Sequence, residues 1–421
     1  MMARPLDRGL RCVGLIVWLC STAATVLPVL SVAHAGGFGS RQQSAYGQGT
    51  SFAGMAAGGS LSSMFWNPAN LSDVNEFEVE ANTTVVLPAM EVTLDPVVAL
   101  GFPGTDEGNI AHDQFVPSVY AAHRLTDRFV FGLAINSPFG LVSKYSGDSI
   151  LNTAGVAGTS RVFTLNVNPA ISLDITDWLT VAAGVQIEYF DVRLSGQSLG
   201  SLGNSLLEGN DVGYGFTAGI RLMPVQGTEI GIGYRSFIDH KLDGTLRTAN
   251  AGNFDVGYDD VNLPDIVSLG IRQEVTDRFR VMVGAEWWNW SRLDTVNVEQ
   301  GPEPISLSFD YDDGWFVSAG GEFDVTPEFA VRSGVGYEFS PIGDNVRTYR
   351  LPDNDRVWIS AGASYRVNER LSFDIGYSFI DVSETDILAA GAGGPFGNGP
   401  FAGEADSHVH SISAAIKVKL N

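Results

Sequence analysis

Apolar and polar residues alternate along most of the chain after residue 76. In 179–189 the odd positions hold Leu, Val, Ala, Val, Ile and Tyr, whereas the even positions hold small or polar residues. The same alternation recurs in 279–287 and 371–379, and each apolar row again ends in an aromatic residue. Because successive side chains of a strand point to opposite faces, this pattern predicts β-strands rather than helices.

Short polar turns join the predicted strands in pairs. The turns lie about 50 residues apart along most of the chain, at 126–127, 176–177, 224–227, 276–277, 326–327 and 368–369. The connections at the other strand ends hold about 15 to 25 residues and are rich in Gly, Asn, Asp, Ser and Pro. Counting the strands gives fourteen, and tight turns at one rim with long loops at the other are typical of outer-membrane barrels.

A soluble β-sandwich or jelly roll also has alternating strands, so the aromatic residues at the strand ends are needed to distinguish a membrane barrel from it. Aromatic residues at strand ends are the girdles expected at the two bilayer interfaces, and they include Tyr189, Trp287, Tyr337, Tyr365 and Phe379. We therefore predict an all-β fold, a 14-stranded antiparallel transmembrane β-barrel over residues 77–421.

The first 35 residues have the pattern of an export signal. Arg4, Arg8 and Arg11 precede an apolar stretch at 13–30, and Ala33-His34-Ala35 fits a small-residue cleavage site. We predict a signal peptide over 1–35; a lipoprotein signal at Cys20 and an uncleaved anchor are the alternatives. After residue 35 no run of about 20 apolar residues predicts a membrane-spanning helix.

Composition excludes several function classes. The 421 residues carry 25 Lys and Arg against 48 Asp and Glu, a formal charge of −23, which argues against nucleic-acid binding. Both cysteines lie within the first 20 residues, so neither a disulfide scaffold nor a Cys-ligated metal site is expected. We predict no cofactor and no metal.

Residues 36–76, here called the hatch segment, do not alternate. The segment is too short to fold alone, and its small residues suit close packing inside a fourteen-strand barrel, which is near the size that leaves a channel. We predict that it plugs the lumen; a loose periplasmic tail is the alternative.

Within the hatch segment, Asn67-Pro68-Ala69 predicts a rigid corner, because Pro68 fixes its own φ and Asn67 can close a turn. An ordinary turn would have the same sequence.

Several segments resemble the FadL family of outer-membrane transporters. They are Asn67-Pro68-Ala69 before the first strand, Ser137–Leu141 after the third, 351–358 and 374–377. The resemblance covers nearly the whole chain after the signal. It implies a fourteen-strand barrel with an N-terminal hatch in the outer membrane of a Gram-negative bacterium. We expect outer-membrane lipid and lipopolysaccharide as partners and a monomer. It also implies passive uptake of long-chain fatty acids or aromatic hydrocarbons, captured by the loops, bound near the hatch and released sideways at the third strand.

The candidate exit is a break in that third strand, for which Gly132, Ser137 and Pro138 are the candidate residues. Pro138 cannot donate to a ladder, but it would also simply end the strand at the rim, so Gly132 is the favoured position. The candidate apolar contacts of the substrate are Phe38, Phe65, Trp66, Phe139 and Leu141. The candidate cations for a carboxylate are Arg161, Arg332 and Arg356, although inward arginines of a barrel can equally pair with inward glutamates.

Two other function classes remain open. A general porin would need no hatch and would pass ions and sugars. A barrel lipase would need an activating acid near His408 and His410, and none stands at a known spacing, so we predict no enzyme.

The leucines of 193–210 are spaced by three and four in places, which favours a helical turn in that outer loop.

Overall fold

The computed structural model describes residues 36–198, 203–299, 305–389 and 397–420. The predicted signal peptide over 1–35 lies outside the described residues. Twenty strands are present: β1 Phe77–Leu94, β2 Thr105–Asn109, β3 Gln114–Arg124, β4 Phe129–Asn136, β5 Gly140–Lys144, β6 Thr159–Thr176, β7 Leu179–Ser198, β8 Asn204–Val225, β9 Thr228–Arg235, β10 Ile238–Thr248, β11 Gly252–Leu263, β12 Ile266–Thr276, β13 Phe279–Trp288, β14 Thr295–Glu299, β15 Ile305–Ser308, β16 Gly314–Asp324, β17 Phe329–Phe339, β18 Arg356–Arg366, β19 Leu371–Ile387 and β20 Gly403–Leu420.

The helices are short. Two single α-helical turns, α1 Ala45–Gln48 and α2 Ile150–Thr153, accompany 3-10 turns at Met55–Ala57, Leu61–Phe65, Pro68–Asp73, Val98–Leu100 and Trp290–Arg292. No helix in the described part of the chain is both long and apolar enough to cross a membrane.

Fourteen of the strands close into an antiparallel barrel, which confirms the predicted fold. Each pairs with the next in the order β1, β3, β4, β6, β7, β8, β9, β12, β13, β16, β17, β18, β19 and β20. The last strand returns to the first, from Phe77 opposite Leu420 to Leu94 opposite Gly403. The closure leaves no free edge, as a membrane barrel requires.

The other six strands extend the ladders at the rim with the long connections. β10 pairs with both β8 and β11, and β14 pairs with both β11 and β15. The helical turn expected at 193–210 is wrong for the residues described there, because β7 and β8 run through them and place Leu194 opposite Leu207. The two leucines share one face of a two-stranded ladder; Leu199 and Leu202 lie outside the described residues.

The faces of the strands follow the predicted alternation. On β13, Phe279, Val281 and Val283 are exposed on the outside of the barrel, whereas Met282 points inward and is buried. Outward apolar side chains of this kind occur around the barrel, where a soluble protein would bury them. The polar inner face therefore meets the lumen, and the hatch segment packs against it.

Candidate functional site

The hatch segment lies buried among the inner faces of the strands. Every residue of 36–71 is buried except Gly59 and Ser60. The segment is a chain of short turns that contact β6, β8, β12 and β19. A chain of 40 residues with so little regular structure has many backbone groups to satisfy, so the barrel wall and the segment's own polar side chains must supply partners.

Asn67 connects two parts of the hatch segment to the wall. Its Oδ1 accepts from the Ala69 amide at 3.0 Å, which caps the 3-10 turn that begins at Pro68. Its Nδ2 donates to the carbonyl oxygens of Ala56 at 2.7 Å and of Ile220 on β8 at 3.0 Å. The wall makes room for this contact, because a Cβ at Gly219 would lie 2.0 Å from the Asn67 Oδ1. The side chain at the predicted corner thus has three hydrogen-bond partners.

Arg41 forms a second junction, deep in the lumen. Its Nε donates to Glu286 of β13 at 3.0 Å, and its Nη1 contacts Glu338 of β17. The guanidinium also lies 4.2 Å from the centre of the Phe316 ring. The same two carboxylates accept from indole nitrogens, Glu286 from Trp66 and Trp288 and Glu338 from Trp358. One hatch cation therefore bridges two wall acids that also accept hydrogen bonds from tryptophans, and Glu338 accepts from the Gly36 amide as well.

Tyr46 forms a third junction, towards the rim with the short turns. The Arg332 guanidinium lies 4.0 Å from the centre of its ring, and the Arg272 Nη1 donates to its hydroxyl at 3.0 Å. Lys417 lies 5.2 Å from the same ring. Beyond Tyr46 the lumen widens into a vestibule of about 980 Å³ with many charged side chains, among them Glu78, Arg280 and Asp374. The hatch residues Tyr46, Leu61 and Asn70 line this vestibule.

The barrel wall is interrupted beside β4. The β3–β4 ladder ends at Val119 opposite Ile135, so Gln114–Ser118 of β3 have no ladder partner on that side. On the other side, three residues (137–139) stand opposite two residues of β6, between the β4 and β5 ladders. The hatch segment takes the place of β3: the Ser40 amide donates to the Pro138 carbonyl, and the Gly140 amide donates to the Phe38 carbonyl, both at 2.7 Å.

The structure moves the expected break from Gly132 to Ser137 and Pro138. Gly132 lies inside a continuous ladder, opposite Ala122 on one side and Ala170 on the other. Its missing side chain serves packing instead, because a Cβ there would lie 2.4 Å from the Leu71 Cδ2. The bulge forms at the proline, which has no N–H for the β3 ladder.

An apolar cavity of about 100 Å³ lies on the outer side of this region. Two of the predicted substrate contacts, Phe38 and Leu141, line it together with residues of the barrel and outer strands: Val162, Phe190, Val192, Leu194, Leu242, Tyr258, Val261, Val296 and Leu307. Phe139 lies behind Phe38, with ring centres 6.2 Å apart. Phe65 and Trp66 are not in the cavity; they belong to the cluster between the hatch segment and the wall.

The three cations predicted for a carboxylate are already paired with acids of the chain. Arg161 contacts Asp191 at 2.9 Å, and Arg332 contacts Glu322 at 3.2 Å and Asp374 at 3.5 Å. Arg356 donates from Nε to Asp353 at 3.0 Å and lies 3.9 Å from Glu338. The alternative given in the sequence analysis, an inward arginine paired with an inward glutamate, describes Arg332 with Glu322, whereas the nearest acids of Arg161 and Arg356 are aspartates.

Two buried arginines were missed by the sequence analysis. Arg350 lines the apolar cavity, and its Nη1 donates to the Ser195 carbonyl at 3.0 Å. It lies in a connection without periodicity, so nothing in the pattern marks it. Burial lowers the pKa of Arg350 to about 10, partly offset by Tyr145, so it remains protonated at neutral pH.

Arg235 is the last residue of β9, and its guanidinium lies 4.5 Å from the centre of the Phe65 ring. The alternation along β9 predicts that this arginine points inward, so the sequence could have identified it.

Comparisons with known proteins give one family. A sequence model of the family described as outer membrane protein transport protein (OMPP1/FadL/TodX) matches residues 26–419. Outer membrane protein P1 of Haemophilus influenzae is 25% identical over 313 residues, which cover 65% of this chain and 67% of that protein. The long-chain fatty acid transport protein of Escherichia coli is 22% identical over 404 residues, which cover 85% of this chain and 90% of that protein.

Solved structures give the same fold. A Pseudomonas aeruginosa FadL homologue superposes with a TM-score of 0.83 at 21% identity, covering 92% of this chain and 100% of that one. The Ralstonia pickettii toluene transporter TbuX has a TM-score of 0.67 at 19% identity, covering 90% and 100%. At these identities the similarity establishes the fold alone.

Proposed function

The chain belongs to the outer membrane transport protein family of FadL and TodX, and we propose that within this family it carries long-chain fatty acids. Membership confirms the resemblance found in the sequence and the location in the Gram-negative outer membrane. It also makes the chain a transporter of hydrophobic compounds, in a family of transporters and channels rather than enzymes. The substrate and its route are the proposal.

The observation that carries the proposal is Arg350 at the apolar cavity. The cavity wall is almost entirely aliphatic and aromatic, and Arg350 is the cation among its lining residues. A fatty acid has a matching form: the alkyl chain gains from leaving water, and a carboxylate accepts charge-assisted hydrogen bonds from a guanidinium. The charge of Arg350 is held at neutral pH, when a fatty acid is ionised.

Aromatic hydrocarbons are the second candidate, and a different observation favours them. Four rings stand together next to the cavity: Phe38 lies 4.7 Å from Trp290, and Phe139 lies 6.0 Å from Trp288. Edge-to-face rings of this kind suit a flat aromatic ligand. The cavity of about 100 Å³ is also small for a long alkyl chain, so a fatty acid would have to displace side chains.

The exit we propose is the interruption between β3 and the 137–139 bulge. Phe38 and Ser40 now close it by their backbone hydrogen bonds to Gly140 and Pro138. A small outward shift of these two hatch residues would join the cavity to the membrane. The remaining hatch contacts at Asn67, Arg41 and Tyr46 would stay in place, so the lumen would remain plugged to ions and sugars, unlike that of a porin. The outward apolar rows would contact lipid and lipopolysaccharide around a monomer.

Uptake by cells that lack their own fatty-acid channel tests the substrate. Cells complemented with this chain receive labelled oleate and, separately, labelled toluene. We expect oleate uptake that falls about tenfold or more in Arg350→Gln, because a charge-assisted hydrogen bond is lost. Arg247→Gln is the matched control, since Arg247 lies exposed on β10. Toluene uptake without oleate uptake would replace the first substrate by the second.

A further inference from the structure

The barrel wall has a second interruption, between β8 and the link from β9 to β10. The β8–β9 ladder ends at Thr217 opposite Arg235, and the β8–β10 ladder begins at Asn210 opposite Asp243. Between them six residues of β8 (211–216) face seven residues (236–242). On its other side, β10 pairs with β11 from Ile238 opposite Leu263 onward, with a bulge between His240 and Leu242. The gap is therefore confined to one seam.

Few hydrogen bonds cross this seam. The Ser236 amide donates to the Phe216 carbonyl at 2.9 Å, and the Phe216 amide donates to the Ser236 Oγ at 2.8 Å. At the other end, the Lys241 amide donates to the Asp211 carboxylate at 3.3 Å. Between these ends the seam is closed by side chains rather than by a ladder.

The closing side chains are those of Ile238 and His240, which are buried inside the wall. Both face Gly213: a Cβ on that glycine would lie 2.4 Å from the Ile238 Cγ2 and 2.7 Å from the His240 Cε1. On the outside, Tyr214 is 69% exposed and Phe216 is exposed beside it. A glycine backbone and two side chains thus separate the interior from the outer apolar surface.

The seam leads to the apolar cavity. His240 stacks on Phe190, with ring centres 5.1 Å apart and planes at 29°, and Phe190 lines the cavity. The two interruptions are also linked by cross-strand pairing. Thr164, beside the first, pairs with Phe190, and Phe190 pairs with Asp211 at the second. The cavity therefore lies behind a panel of β6, β7 and β8 that has a gap on each side.

The two gaps differ in charge. At the first, the polar contacts are uncharged: the Gln43 amide donates to the Ser137 carbonyl, and Thr164 bonds to the Phe139 backbone. At the second, His240 lies between two carboxyl groups, 3.0 Å from Asp211 and 3.6 Å from Glu188. These two acids outnumber the buried arginine beside them, Arg235, which interacts with Glu188. The passage would therefore repel a fatty-acid anion, whereas an uncharged hydrocarbon meets no such cost.

We propose that the β8–β10 seam is a second lateral opening, through which uncharged apolar molecules pass between the cavity and the membrane. It rests on the proposed function, in that the cavity must hold hydrophobic substrates. Anionic fatty acids use the first gap and uncharged hydrocarbons use the second. Opening needs rotation of Ile238 and His240 away from Gly213, which breaks the 3.0 Å contact of His240 with Asp211 and its stack on Phe190, while the flanking ladders remain paired.

A disulfide across the seam tests this directly. The Cβ of residue 238 can lie no more than about 3.9 Å from a Cβ at 213, because its Cγ2 is 2.4 Å away and a carbon–carbon bond adds about 1.5 Å. That separation suits a disulfide, and the chain has no cysteine after residue 20. The variant is Gly213→Cys with Ile238→Cys. The control is Val335→Cys with Ile359→Cys, a lipid-facing pair directly opposite each other in the β17–β18 ladder.

We expect the oxidised seam variant to lose toluene uptake severalfold and keep oleate uptake, and a reductant to restore the toluene uptake. Unchanged toluene uptake with the disulfide formed would overturn the second opening. Absence of both toluene and oleate uptake in the unmodified chain would overturn the proposed function, a result distinguishable from the first.

A single substitution tests the same opening if the double cysteine variant does not fold. His240→Ala removes the ring between Phe190 and Gly213 and should raise toluene uptake into liposomes, with heat-modifiable migration on gels confirming a folded barrel. His408→Ala, on the outer face of β20, is the control and should leave uptake as it is. A folded His240→Ala protein with unaltered toluene uptake would also overturn the opening.

Discussion

The side-chain nitrogen of Asn67 donates a hydrogen bond of 3.0 Å to the carbonyl of Ile220, in the middle of β8. The barrel strand already uses its backbone groups in ladders with β7 and β9, so this carbonyl accepts an additional donor through its second lone pair. The same amide holds the Ala56 carbonyl and caps the turn at Pro68. One side chain thereby fixes the fold of the hatch segment and its position against the wall.

Replacing Asn67 by alanine should loosen the hatch segment without unfolding the barrel. The cap alone is worth about 1 kcal/mol, and the two donated hydrogen bonds leave buried carbonyls that cost about as much each. We expect single-channel conductance in planar bilayers to rise and to fluctuate, because the segment leaves its seat more often. Asn297→Ala, in the outer strand β14, should leave conductance unchanged; an equally quiet Asn67→Ala channel would contradict the plug.

A side chain at Gly219 should disturb the same contact from the wall. A Cβ there would lie 2.0 Å from the Asn67 Oδ1 and 3.0 Å from the Pro68 Cδ. Overpacking of this kind costs about 1–3 kcal/mol, so Gly219→Ala should lower the temperature at which the hatch segment becomes accessible to protease. Gly257→Ala is the control, because the nearest atom to its Cβ is 3.9 Å away. Equal protease sensitivity of the two variants would refute the close packing.

The barrel could be predicted because each membrane strand has one face towards lipid and one towards the lumen, so apolar and polar residues alternate in its sequence. The alternation placed strand starts near Phe77, Phe279 and Leu371, and the structure has them there. The outer strands escaped prediction, since their Gly-, Asn- and Asp-rich sequence resembles loops. Their pairing also depends on partners distant in sequence, such as Asn297 opposite Asp259.

Only part of the candidate site could be predicted from the alternation of apolar and polar residues. The alternation along β17 correctly predicted that Arg332 points inward. It does not show that Glu322 and Asp374, on other strands, form ion pairs with this arginine. The hatch contact of Gly132 and the bulge at Pro138 arise from the path of a segment without periodicity. Arg350 was missed for that reason too, because its position is set by the fold of a long connection rather than by a strand.

Breaking the Arg41 junction should release the hatch segment more strongly than loss of any surface ion pair. Arg41→Gln leaves the buried carboxylate of Glu286 without its cation and leaves Glu338 with Arg356 at 3.9 Å, and removing one partner of a buried pair costs about 3–5 kcal/mol. Arg193→Gln removes an exposed pair with Glu208 and should cost less than about 1 kcal/mol. Urea titrations monitored by tryptophan fluorescence, to which Trp66, Trp288 and Trp358 contribute, check the difference. Equal midpoints for the two variants would contradict it.

The outer surface above the cavity is strongly acidic. Residues 294–313 hold six Asp and Glu and no Lys or Arg, and Val296, Leu307 and Tyr311 of this stretch line the cavity. On the proposed route, a ligand that enters from outside would pass the carboxylates of this stretch that the structure describes, those of Asp294, Glu299, Asp310, Asp312 and Asp313, before it reaches Arg350. Their field slows an anion and leaves an uncharged molecule unaffected.

Salt should therefore change the two uptake rates differently. The screening length falls from about 30 Å at 0.01 M to about 10 Å at 0.1 M ionic strength, so oleate uptake should speed up over this range while toluene uptake stays constant. Replacing Asp310, Asp312 and Asp313 by Asn should raise oleate uptake at low salt and remove most of its salt dependence. Replacing Asp127 and Asp177 at the opposite rim is the control for a general charge effect. Oleate uptake that is fastest at low salt would show that the acidic rim does not act on the incoming anion.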